Sequence, residues 1–172
     1  MFYKILKNFF LKKNVTKRLQ NQQPLLEQQK IETIGLLVDE TYFSNTASLV
    51  EAILSQGFRK EQITILVYKD KIKSKEVISE PFLSLKNISL SGEINKPEVV
   101  DFLEKPFDLL INYYDTEKAA LLLVSQLSKA NFKVGFSVVD KRLNHFMIDT
   151  NAENYKIFVS ELFKYLRILN KI

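Results

Sequence analysis

The residues able to do chemistry fall in short clusters, each just past an apolar run. Asp39 and Glu40 follow the run Thr33 to Val38. Asn112, Tyr113 and Asp115 follow Leu109 to Ile111, and Asp149 follows His145 to Ile148. Carboxylates brought to one end of a sheet could hold a Mg²⁺ through oxygen ligands. The alternative for Asp115 and Asp149 is that each opens a helix, where the helix dipole favours an acid. Tyr113 and Tyr114 could stack on a ligand or close as a lid over the sheet edge. His145 is the only histidine, and the chain has no cysteine. Thiol nucleophiles, thiolate or multi-histidine zinc sites, disulfides and hydrolytic triads are thereby excluded. His145 could act only alone, as an acid or base. At the start of a strand, a structural place is the plainer reading.

Phosphate sites fail for a different reason. A dinucleotide or P-loop site needs glycines so that backbone can approach the phosphates. The four glycines are Gly35, Gly57, Gly92 and Gly135, none in a strand-to-helix loop at that spacing. The first such loop, Asp-Glu-Thr-Tyr-Phe-Ser-Asn from Asp39, carries two carboxylates that would repel phosphate. A response-regulator-like acidic pocket fails too. The acidic pair does not lead straight into a helix, and no Lys follows a late strand at the required place. The sequence specifies no catalytic set, no metal site and no cofactor. It leaves Asp39, Glu40, Asn112, Tyr113, Asp115 and Asp149 as ligand-pocket candidates.

Elements of one recurring kind must position these residues. Thr33 to Val38 reads as a strand, a helix follows from about Thr46 to a stop at Gly57, and Ile63 to Tyr68 is the second strand. The charged stretch Lys69 to Glu76 reads as a solvated loop. A short strand is expected near Ile88 to Leu90, with a turn at Ser91-Gly92. Pro97 starts a helix that Pro106 stops. Leu109 to Ile111, a helical pattern opened by Asp115-Thr116, and Lys133 to Phe136 form a second βαβ unit. His145 to Ile148 is the last strand. Thr150 and Glu153 have capping-box spacing before a terminal helix from Ala152 to Leu169. Strands that are apolar without alternation are buried on both faces, which places helices on both sides of the sheet. The expected fold is a Rossmann-like α/β three-layer sandwich with a mainly parallel sheet of five or six strands. Ligands of such folds sit at the strands' carboxyl ends, where strand order reverses.

The N-terminal end is different in kind. Residues 1–20 contain Lys4, Lys7, Lys12, Lys13, Lys17 and Arg18 and no acid, so the rest of this +5 chain sums to −1. Phe2, Ile5, Leu6, Phe9 and Phe10 share a helical face, which makes residues 1–22 a basic amphipathic helix. Such a helix suits an anionic membrane surface or a partner's groove, and less well a nucleic acid. The alternative is packing on the domain itself. Residues 23–30, polar and Gln-rich around Pro24, read as a linker, and residues 31–172 as the domain. At 172 residues, one domain is the expectation. No apolar run suits a membrane span or a signal peptide. A cytoplasmic location, peripheral to the inner membrane face if the helix docks, is expected.

Two resemblances rest on Phe107-Asp108-Leu109-Leu110-Ile111-Asn112 and Lys133-Val134-Gly135-Phe136. This stretch is similar to part of the N-terminal Rossmann domain of heptosyltransferase-like glycosyltransferases of GT-B architecture. Those enzymes carry a Gly-Asp step after the first strand, its Asp being their base. Here Val38-Asp39-Glu40 has the acid without the glycine, and 172 residues leave no room for their second, nucleotide-sugar domain. The resemblance implies kinship of fold. The whole chain also resembles a family of short uncharacterised Bacteroidetes proteins with a basic N-terminal helix. The leading expectation is a non-enzymatic docking module working through residues 1–20. The alternative is a small ligand-binding protein or enzyme related to a GT-B half-domain.

Overall fold

In the computed structural model, the described residues form a six-stranded, all-parallel sheet with helices on both faces. The structure describes the backbone of residues 2–18, 30–71 and 79–172 and, in the first helix, the side chains of residues 7–15. The expected linker (residue 30 apart), the loop residues Lys73, Lys75 and Glu76, and the side chains of Lys4, Lys17 and Arg18 lie outside the described residues. The strands are β1 (Ile34–Asp39), β2 (Ile63–Tyr68), β3 (Phe82–Leu83), β4 (Leu109–Tyr113), β5 (Phe132–Phe136) and β6 (Phe146–Ile148). The helices are α1 (Phe2–Arg18), α2 (Thr46–Leu54), α3 (Pro97–Glu104), α4 (Ala119–Leu127) and α5 (Tyr155–Ile168).

The sheet order is β3-β2-β1-β4-β5-β6. The chain builds outward from β1 in one direction, returns, and builds outward from β4 in the other. Strand order therefore reverses between β1 and β4. Every residue of β1, β4 and β5 is buried, as unbroken apolar runs require of strands covered on both faces. Parallel βαβ connections are right-handed almost without exception, so the opposed growth puts α2 and α4 on opposite faces. On one face α2 packs with α5; on the other α4 packs with α1.

This last contact explains the composition of α4. Its residues Ala119 to Gln126 are all buried, with the sheet beneath and α1 above. A helix apolar on all sides needs such a second cover. Among the described side chains of α1 the buried ones are Lys7, Leu11 and Val15, one stripe at a spacing of four, and the Gln126 amide donates to the Val15 carbonyl at 3.2 Å. Burying Leu11 and Val15 contributes about 1.5–3 kcal/mol each. The expected apolar face is thus not the packed one where it is described: Phe9 and Phe10 are 63% and 49% exposed.

Three local expectations are corrected. The sheet's third strand is Phe82–Leu83; Ile88 makes only an antiparallel bridge to Ile94, around a turn with Gly92 at φ 91°. Leu83 and Ile88 are equally buried, so hydrophobicity alone could not choose between them. Helix α4 starts at Ala119 and not at Asp115, and α5 starts at Tyr155 after Asn154, without the Thr150 capping box. Both displacements share a cause. The Ala152 N–H donates to Asp115 Oδ2 at 2.8 Å, and the Tyr113 hydroxyl donates to the Ala152 carbonyl at 2.6 Å. These two bonds commit the Asp115 carboxylate and the Ala152 peptide groups to each other, outside either helix.

Candidate functional site

The carboxyl ends of β1 and β4 lie side by side, with Val38 in register with Tyr113. A small cleft of about 120 Å³ opens there. Asp39, Tyr42 and Phe43 come from the end of β1 and the loop to α2. Tyr113, Tyr114 and Asp115 come from the end of β4, and Ala152 and Glu153 from the turn before α5. Pinning of Ala152 by Tyr113 and Asp115 is what brings Glu153 to the rim.

The walls are aromatic. The Phe43 ring lies 4.9 Å from that of Tyr113, which meets Phe158 edge-on at 5.1 Å on its way into the core. Burial, with lesser contributions from the charge of Asp115 and from Tyr155, pushes the Tyr113 hydroxyl above the usual phenol range. Tyr42 at the rim is 79% exposed.

Beside the cleft stands a charge cluster organised by Lys118, the residue before α4. Its ammonium lies 2.7 Å from Asp39 Oδ2 and 3.3 Å from Asp70 Oδ2, and donates to the Thr41 hydroxyl at 2.8 Å. It also sits 4.9 Å and 5.0 Å from the ring centres of Tyr42 and Tyr68, within cation–π range. The Tyr68 hydroxyl donates to Asp70 at 2.7 Å. Burial first, then that bond and the charges of Asp70 and Asp39, raise its pKa well beyond the ordinary phenol value. Glu40 turns away from the cleft to pair with Lys69 at 3.1 Å and to accept from Thr46 Oγ1 at 2.6 Å. The loop residue Glu117 accepts from Lys12 of α1 at 2.5 Å and from the Asp140 N–H at 3.0 Å. The β4–α4 loop is thus a hub joining three parts of the chain.

Of the six pocket candidates, Asp39, Tyr113 and Asp115 line the cleft. Glu40 serves the Lys69 pair. Asp149 accepts from the Ser137 hydroxyl at 2.8 Å at the end of β6, so neither it nor Asp115 opens a helix. Asn112 is buried within the sheet and outside the cleft. Its Oδ1 accepts from Ser125 Oγ at 2.7 Å and its Nδ2 donates to Asn144 Oδ1 at 2.8 Å. His145 stacks on Phe132 and accepts the Lys133 N–H through Nδ1 at 2.9 Å, a structural place. Burial, then Lys133 and Lys171, lower its pKa. Among the described residues no group of His, Cys, Asp and Glu could hold a metal ion. Lys118, Tyr42 and Glu153 were not foreseen as site residues. The Tyr-Phe pair inside the first strand-to-helix loop was the available signal for Tyr42.

Fold and site together define a Rossmann-like α/β domain with a small aromatic and acidic cleft at the point where strand order reverses. A family model described as a family of unknown function, DUF6913, matches residues 7–169, and the chain belongs to that family. The match begins inside α1, so most of that helix is part of what the family shares. No curated protein and no solved structure matches the chain. Among the described residues no helix is long and apolar enough to cross a membrane.

Proposed function

We propose that the protein is a non-enzymatic docking module that presents the outer surface of α1 to an anionic membrane. The observation that carries this reading is the outward placement of Phe9 and Phe10 on a helix whose other side is packed down. The two rings meet edge-on at 5.9 Å, with Lys13 exposed beside them and Lys12 half-exposed in its pair with Glu117. Inserting two such rings, with each basic residue near the surface adding about 1 kcal/mol, suffices for reversible association. Docking leaves α1 in place, because its departure would bare the apolar outer side of α4. The likeness to short Bacteroidetes proteins with a basic N-terminal helix belongs to this reading. Flotation with phosphatidylglycerol-containing vesicles tests it. Binding is expected there, absent on pure phosphatidylcholine, weakened by salt and lost in Phe9→Ala/Phe10→Ala. Equal flotation of the double variant overturns the reading.

A second reading, a small-ligand-binding domain, is favoured by the cleft at the β1/β4 reversal point. The resemblance of residues 107–136 to a GT-B half-domain belongs here. Chemical-shift changes confined to Tyr42, Phe43 and Ala152 on adding a small-molecule panel would support it.

A further inference from the structure

We infer that the cleft between β1 and β4 binds the ammonium head of a small organic cation, a primary or quaternary amine. The inference rests on the second reading above and gives it a ligand class. Three observations converge on it.

The first is charge. Asp39, Asp115 and Glu153 face the cleft, and among the described residues only Asp39 of the three is ion-paired, with Lys118. Asp115 accepts from the Ala152 N–H, and among the described residues no basic side chain pairs with Asp115 or Glu153. The cleft holds more negative than positive charge, which repels phosphate and carboxylate and attracts a cation. The second is lining and size. Four aromatic residues share the lining with the three acids, and no metal-binding cluster is present among the described residues. At about 120 Å³ the space is well below a nucleotide site and holds only a small head group.

The third observation is the protein's own chemistry next door. The Lys118 ammonium rests between the carboxylates of Asp39 and Asp70, near the rings of Tyr42 and Tyr68. Ring faces and carboxylates are what recognise ammonium groups, including quaternary ones. Tyr42 is shared, its ring near Lys118 also lining the cleft, where Phe43, Asp115 and Glu153 join it and, among the described residues, no basic side chain pairs with either of these two acids.

The test uses the full chain, with NMR titration of butylamine and tetramethylammonium against butyrate, butanol and inorganic phosphate at matched ionic strength. The two cations are expected to shift the signals of Tyr42, Phe43 and Ala152 saturably and to raise the melting temperature with concentration. Asp115→Asn/Glu153→Gln should weaken the cations roughly tenfold or more, since two charges are lost, while Asp149→Asn leaves them unchanged. The amide carbonyl introduced by Asp115→Asn can still accept the Ala152 N–H, and an unchanged far-UV spectrum shows that the double variant folds. Butyrate, butanol or phosphate binding as tightly at the same signals overturns the ligand class and leaves the cleft as a site. Undiminished cation binding by the double variant overturns the charge argument. If no probe moves those signals, the small-ligand reading falls as well.

Discussion

Two polar regions sit a few residues apart on the same strand and differ in almost every respect. At the end of β4, Tyr113 and Asp115 face a cleft. One step back, Asn112 lies in a closed network beneath α4. Ser125 Oγ joins Asn112 to the Tyr114 hydroxyl, 2.7 Å from each, and Asn112 reaches on to Asn144, which sits over Gly135. The buried Lys133 amine donates to the Ser125 carbonyl at 2.7 Å. The period of two along a strand makes the difference. Asn112 points to the α4 face, where α1 and α4 exclude water, and Tyr113 to the α5 face at the open end. Polar groups in the closed region bond to one another, with Asn144 Nδ2 left as a buried donor without a partner. Those at the sheet end can leave charge for something else.

Substitutions can break or sharpen this contrast. The largest effect is expected from Asn112→Ala, which strips hydrogen bonds from Ser125 and Asn144 in a dry site. Urea unfolding should show a loss of about 3 kcal/mol. A loss below about 0.5 kcal/mol would mean that water already reaches the network, since only a solvated group is removed so cheaply.

Next comes pH. Burial pushes the Lys133 amine down to about 8. Between that value and about 10.4 the unfolded chain binds the extra proton, so stability rises with pH across this window. From about pH 9 the effect is opposed, because Tyr68, Tyr113 and Tyr114 are buried with raised values and the unfolded phenols ionise first. From pH 8 to 10 Lys133 contributes on the order of 2 kcal/mol, of which the tyrosines remove about 1, so a net gain of about 1 kcal/mol is expected and Lys133→Met should turn it into a loss.

A smaller loss, about 1–2 kcal/mol in thermal unfolding, is expected for Gly135→Ala. The new methyl would lie 2.5 Å from the Asn144 amide, which its bond to Asn112 holds in place. The smallest effect belongs to the cleft. Asp115→Asn keeps the acceptor for the Ala152 N–H and should alter unfolding free energy by less than about 0.5 kcal/mol. If it costs as much as Asn112→Ala, the two regions are alike and the cleft carboxylate is structural.

Reading the sequence found β1, β4 and β5 because strands buried on both faces leave apolar runs, and β2, buried over its second half, by the same signal. It found α3 through Pro97 and the end of α2 through Gly57. It missed where α4 and α5 begin, because Asp115 and Thr150 offer good local starts. A contact spanning 37 residues, Asp115 to Ala152, overrides both. It saw half of the cleft. Asp39, Tyr113 and Asp115 follow strands and are found by position, whereas Glu153 and Lys118 arrive through bonds made far along the chain. In α1, helical spacing located the helix and predicted an apolar face that includes Phe9 and Phe10, but these two face out and Lys7 faces in. Leu11 and Val15 match the outer side of α4, and a helix wheel contains no information about the shape of its partner.

What the sequence by itself determined is the kind of layer each segment can join. Apolar runs with a period of two or none, glycine and proline punctuation, and the absence of phosphate loops, cysteine and paired histidines are local properties. Only the tertiary structure decided which charges are spent. Lys118 neutralises Asp39 and leaves Asp115 and Glu153 facing a cleft, because strand order reverses between β1 and β4 and gathers at one place residues that are far apart along the chain.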